Sequence, residues 1–139
     1  MLNPVEVFHL YKKYRNKVAV EDISFVVRKS ELFGLLGPNG AGKSTTLKSI
    51  CGLIKPTAGT VFIDGINIVE NPKEAKKKIG YLPEERNLYE YMRVNEYLKF
   101  FGSLYGIKGR KLDESVEKSL LMVDMLEEKE TTIETLSKG

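Results

Sequence analysis

Three features of this sequence predict an α/β fold. Short runs of β-branched and apolar residues alternate with helical stripes through the middle of the chain. One run, Leu32-Phe33-Gly34-Leu35-Leu36, is apolar almost without a break, as in a strand covered on both faces by helices. A glycine-rich turn over residues 37–42 joins that run to a helical pattern.

Taken in order, Val5 to Leu10 reads as a first strand. Val18 to Val27 reads as one or two more, after a turn at Arg15-Asn16. Ser30-Glu31 is a turn, and the apolar run after it reads as a strand of a parallel sheet. Lys43 to Ile54 reads as a helix ended by the breaker run Lys55-Pro56-Thr57-Ala58-Gly59. Thr60 to Ile63 is a strand closed by the turn dipeptide Asp64-Gly65. Asn71-Pro72-Lys73-Glu74 reads as a helix start, with Asn71 as cap, Pro72 in the first turn and Glu74 placed to reach back to the Asn71 amide. Lys76-Lys77-Lys78 then falls at that helix's C-terminus, where the macrodipole favours cations, so it reads as a solvated helix end. Ile79 to Leu82 is a further strand, followed by a loop over residues 83–87. Val94, Leu98, Phe101 and Tyr105 make one apolar stripe, and Leu112, Val116, Leu120 and Val123 make a second. Gly106 to Gly109 separates the two helices.

With 139 residues, 42% of them hydrophobic and 29% charged, the chain is sized and composed for one globular domain with its own core. Its net charge of +3, spread among interspersed acids and lysines, permits contact with nucleic acid or a membrane surface without requiring either, and no nucleic-acid partner is expected. The single cysteine, Cys51, excludes an internal disulfide framework and lies in an apolar stretch that suits a small buried thiol. No basic start followed by an apolar leader is present, and no stretch reaches the roughly 18 apolar residues of a membrane helix. A cytoplasmic chain is expected, with any membrane role supplied by a separate partner.

The strongest chemical signal is Gly37-Pro38-Asn39-Gly40-Ala41-Gly42-Lys43-Ser44, a complete GxxxxGK[ST] phosphate loop, or Walker A motif. Small residues let the backbone curl so that successive N–H groups form an anion nest. The following helix adds its positive end. Lys43 brings a mobile full charge to the phosphates, and the Ser44 hydroxyl is suited to ligate Mg²⁺. A chance match in a chain of this size arises roughly once in a few hundred sequences. A dinucleotide fold is the competitor, with Asp64 near the place of a ribose-binding acid, but the glycines do not follow GxGxxG and Lys43-Ser44 has no role there. The loop alone implies nucleotide binding and leaves GTPases, small-molecule kinases and motor ATPases open.

The neighbouring residues narrow the choice. Val20-Glu21-Asp22-Ile23-Ser24-Phe25, then Glu31 through Thr46 across the GPNGAGKST segment, resembles the opening of an ABC transporter ATP-binding protein. So do Gly52-Leu53-Ile54-Lys55-Pro56-Thr57-Ala58-Gly59 and Ile63-Asp64-Gly65. Residues 79–89 and the terminal Leu136-Ser137-Lys138-Gly139 are similar to the sodium- and drug-exporter branch. The resemblance covers essentially the whole chain. It implies a P-loop NTPase of the ABC ATPase type, with an N-terminal β subdomain, an incomplete core sheet and a helical subdomain. Residues 1–92 would form the β subdomain and phosphate-loop core, and residues 93–139 the helical subdomain up to the signature.

The same resemblance implies roles for single residues. Tyr14 falls where the family stacks an aromatic on adenine; the plainer alternative is a surface tyrosine at a strand end. Gly37 through Ser44, with Thr45, would hold the nucleotide. Glu84 stands where the family usually has the glutamine of the Q-loop, which touches Mg²⁺ and the attacking water; the plainer alternative is a solvated loop acid. Ser44 and Glu84 are therefore the implied Mg²⁺ ligands. Leu136-Ser137-Lys138-Gly139 resembles the start of the LSGGQ signature, which contacts ATP bound to a second subunit. Lys138 replaces the first signature glycine, Asn87 a common glycine, and Arg93 a frequent helix-capping threonine, which predicts a weaker start for the helix after it.

The 139 residues hold no apolar strand ending in Asp-Glu, and the only histidine, His9, lies in the first strand and reads as an ordinary strand residue. The family's Walker B aspartate, catalytic glutamate and switch histidine have no counterpart here, so this chain alone is expected to be nearly inactive as an ATPase. Later strands of the family's sheet would also be missing, which predicts exposed edges and apolar faces. The leading expectation is an ATP-binding subunit, using Mg²⁺ with ATP, pairing with a second ATP-binding subunit and powering export through a membrane permease at the inner face of the membrane. The alternative is a truncated, non-hydrolysing ATP-binding or interaction protein. A soluble ABC-type ATPase acting on ribosomes or in DNA repair is a third reading.

Overall fold

A computed structural model of the chain describes residues 2–84 and 88–137. They form two compact units, Met1–Leu82 and Pro83–Gly139.

The first unit is built on an antiparallel sheet of four strands, β1 (Val5–Tyr14), β2 (Lys17–Val27), β3 (Ala58–Ile63) and β4 (Ile66–Asn67), in the order β2-β1-β3-β4. Alternation puts Val61 and Ile63 of β3 on the buried face. In β1 the buried residues Val7 and Leu10 are three apart, which simple alternation forbids. A bulge resolves this: the register shifts between Val7 and Leu10, and His9 takes a left-handed φ of 49°. Opposite it, Asp22 has φ 46°, so Val20 and Ile23 also reach the core side. His9 is therefore the bulge residue rather than an ordinary strand residue. Its Nδ1 lies 2.7 Å from Asp22 Oδ1, and its amide donates to Ser24 Oγ at 2.8 Å. Gly59 packs against this bulge, where a Cβ would collide with the carbonyl oxygens of His9 and Phe8.

Helix α1 (Lys43–Ile50) packs on the sheet through the fully buried Thr46 and Ser49. It ends before the predicted Ile54, because Gly52 takes a left-handed φ of 65° and the Leu53 amide turns back onto the Lys48 carbonyl at 2.9 Å. Helix α2 (Pro72–Lys76) buries Ala75 in the same core as Ile68. The predicted side-chain cap at Asn71 does not form. Asn71 accepts the Ala75 amide through its backbone carbonyl at 3.1 Å, and Glu74 turns forward to Lys77 at 2.7 Å.

Two predicted strands are not strands. Residues 32–36 and 79–82 carry no ladder pairing, and Leu32, Leu36 and Leu82 are largely exposed. An apolar run becomes a strand only with a neighbour to bond its N–H and C=O groups, and none of the four strands pairs with either segment. The parallel sheet predicted from the apolar run is thus corrected to an antiparallel one among the described residues. Phe33 still finds a partner, stacking on Phe25 at 4.7 Å and 11°.

The second unit holds α3 (Val94–Leu104), α4 (Arg110–Leu121) and two short 3-10 turns, Glu127–Glu130 and Ile133–Thr135. Its core is Val94, Val116, Leu120 and Ile133, with Leu98 and Leu112 packed against it; of the two predicted stripes Phe101, Tyr105 and Val123 stay outside this core and are exposed. The expectation that α3 begins weakly at Arg93 is corrected. Glu96 Oε2 accepts the Arg93 amide at 3.0 Å, and the Val94 amide bonds to the Thr131 carbonyl at 3.0 Å.

Candidate functional site: the phosphate loop and its surroundings

The loop is shaped by where its glycines fall. Ala41 N–H turns back to the Pro38 carbonyl at 3.3 Å, and Gly42, at φ 90°, starts α1 by accepting the Thr46 amide at 2.8 Å. A side chain at Gly42 would meet the Ala19 carbonyl oxygen closer than 3.0 Å, and Val20 Cγ2 at 3.2 Å. Glycine therefore lets the loop lie directly on β2. The first N–H groups of α1 have no intrahelical partner, and no acid stands in its first turn to compete with an anion.

Lys43 folds back over the loop, its Nζ donating to the carbonyls of Gly37 at 2.6 Å and Pro38 at 2.8 Å. Both are neutral acceptors, which a phosphate's charge would outcompete. Ser44 is exposed and Thr45 half-buried on the same turn. Thr46 points inward, and its Oγ1 is buried without a hydrogen-bond partner among the described residues.

Tyr14 ends β1 opposite Lys17, next to the tight turn at Arg15. It is 44% exposed, and Lys12 Nζ lies 4.9 Å from its ring centroid. Ala19 and Val20, which touch Gly42, sit on the same end of this hairpin, so the structure brings Tyr14 and the phosphate loop to one region of the first unit. Lys12 was missed in the sequence, although strand alternation already puts it on the face of Tyr14.

Glu84 belongs to the second unit, where it is exposed and lines a cavity of about 830 Å³ together with Leu136 and Ser137. Glu90, Glu128 and Glu134 share that lining. No sequence pattern announced this grouping, because the residues come from separate segments joined only by folding. Leu136 packs on the second core, whereas Ser137 is exposed. Asn87, Lys138 and Gly139 lie outside the described residues. Cys51 is half-buried, and burial pushes its thiol pKa up, away from nucleophilic or metal-binding character.

No group of three or more His, Cys, Asp or Glu suited to a metal occurs among the described residues. A lone hydroxyl donor at Ser44, beside a loop shaped for phosphate, suits Mg²⁺, which arrives with phosphate oxygens and keeps its waters.

Comparison with known proteins agrees with this geometry. The chain is 40% identical to the probable multidrug ABC transporter ATP-binding protein YbhF of Escherichia coli (strain K12) over 114 residues, covering 82% of this chain and 20% of that protein. It is 40% identical to the linearmycin resistance ATP-binding protein LnrL of Bacillus subtilis (strain 168) over 131 residues, covering 94% of this chain and 42% of that one. The structure of an ATP-binding subunit of an ABC transporter superposes with a TM-score of 0.80 at 31% identity, covering 99% of this chain and 57% of the other. The chain thus spans only part of the length of these relatives. The family model described as ABC transporter matches residues 20–139, and the chain belongs to that family.

Proposed function

We propose that this chain holds Mg-ATP at the phosphate loop and is the ATP-binding portion of an ABC transporter that powers export through a membrane permease. The observation that carries the reading is Lys43, anchored on the Gly37 and Pro38 carbonyls at the N-terminus of α1 with no competing acid in the first turn. On binding, the Lys43 ammonium would move from those carbonyls to the β- and γ-phosphates, the loop amides would cradle the oxygens, and Ser44 would ligate Mg²⁺. Tyr14 stacks on the adenine. Glu84, at the Q-loop position, would be a further ligand for Mg²⁺, and Leu136, Ser137, Lys138 and Gly139 would begin the segment that meets ATP on a second subunit. The functional subdomains in this reading are residues 1–92 and 93–139, with residues 83–92, which pack in the second compact unit, counted functionally with the first, and the assembly would work at the inner face of the membrane.

Members of this family hydrolyse ATP. These 139 residues contain no apolar strand ending in Asp-Glu, so the reading is tested on binding and not on turnover. Equilibrium Mg-ATP binding to the chain, with Lys43→Ala beside it, tests the reading. Binding weakened at least about 100-fold by the substitution, the scale of a lost charge-assisted contact, supports it. Equal binding by a folded Lys43→Ala variant would refute it.

A further inference from the structure

A second surface lies within the second unit, at the turn joining α3 to α4. Leu104 is 66% exposed and Tyr105 81% exposed at the end of α3, with Phe100 and Phe101 also showing on the surface behind them. These rings are held firmly: Phe101 lies 4.7 Å from Tyr97, and Phe100 meets Phe101 edge-on at 5.3 Å. From Tyr97 to Leu112 the chain carries Lys99, Lys108, Arg110 and Lys111 and no acid at all. Lys99 is paired with Asp113 and Arg110 with Glu114, at 2.6 and 2.7 Å, whereas Lys108 and Lys111 enter no ion pair among the described residues.

We propose that this α3–α4 corner is a contact site for an anionic phospholipid surface. Apolar side chains and an amphipathic tyrosine at a helix end, bordered by unpaired lysines, are the combination that seats a peripheral element at the headgroup level. The charge chooses the partner. Asp113 and Glu114 neutralise Lys99 and Arg110, which leaves Lys108 and Lys111 as the free charge beside the apolar residues, and an anionic leaflet attracts each such cation near it.

Flotation of the full chain with vesicles of phosphatidylcholine alone, and of an equal mixture with phosphatidylglycerol, tests this. Binding is expected on the mixed vesicles, weakened by salt. Lys108→Gln with Lys111→Gln should lower it about 25-fold, roughly fivefold for each cation lost. Leu104→Ser with Tyr105→Ser should lower it at least roughly tenfold through lost apolar burial. All four side chains are exposed, so an unchanged circular dichroism spectrum checks that the variants fold. Absence of flotation, equal flotation on neutral vesicles, or indifference to either double variant overturns the proposal. So does a concentration-dependent dimer formed without lipid and lost in the Leu104→Ser, Tyr105→Ser variant, which would assign the face to a second copy of the chain.

Discussion

Replacing Gly42 by alanine tests the seat of the phosphate loop, and Gly40→Ala supplies the comparison. Both glycines have a left-handed backbone, at φ 90° and 84°, so an alanine at either bears a similar conformational cost of about 1–2 kcal/mol. Their surroundings differ. A Cβ at Gly40 meets nothing within 4 Å, whereas one at Gly42 runs into the Ala19 carbonyl oxygen and lies 3.2 Å from Val20 Cγ2. Ala19 belongs to β2, so relief requires the loop to lift from the sheet or the strand to shift, at a further cost of about 1–3 kcal/mol. Gly42→Ala should therefore lower the urea midpoint of the first unit by about 1 M more than Gly40→Ala does, for a slope of about 1–3 kcal/mol per molar. Methyl NMR signals of Val7 and Val20, both in that unit's core, report the transition. Equal midpoints for the two variants would show that the loop does not rest on β2, and the account of Gly42 would fail.

Removing the acceptor at the start of α3 with Glu96→Ala leaves the Arg93 amide unbonded and should cost about 1 kcal/mol, read as faster amide exchange in the first turn of α3. Lys99 holds Asp113 below the usual carboxylate range, first through its hydrogen bond and then through its charge. The folded carboxyl titrates below its unfolded counterpart, so this interaction is present above the unfolded pKa and is lost as pH falls through the folded one. Lys99→Met should raise the Asp113 pKa in an NMR titration. Burial raises the Cys51 pKa, so at mildly alkaline pH alkylation of the folded chain should be slower than that of the urea-unfolded chain. The associated stabilisation is present below the unfolded thiol's pKa and disappears as pH rises through the folded value.

The phosphate loop, the two helical stripes and the first strands were legible in the sequence because each rests on local chemistry. A GxxxxGKS run needs only its own backbone and the helix it opens, and Val94 with Leu98, like Leu112 with Val116 and Leu120, needs only a 3.6-residue repeat, whereas the stripes' ends at Tyr105 and Val123 stay exposed. What depends on distant partners was not legible. Leu32 to Leu36 has the composition of a buried strand, yet strandhood depends on a neighbouring ladder, and the described sheet does not supply one. The bulge at His9 could not be read from alternation, because it forms where two strands and Gly59 press together. Arg93 is a poor cap by residue type, yet a glutamate one turn on and the Thr131 carbonyl together make the start of α3 firm. The sequence by itself determined which residues can meet a phosphate and which helix faces are apolar, since those follow from residue type and spacing. Only the tertiary structure decided which extended runs become strands and where the cations of the α3–α4 corner stand free, since hydrogen-bond and ion-pair partners lie far along the chain.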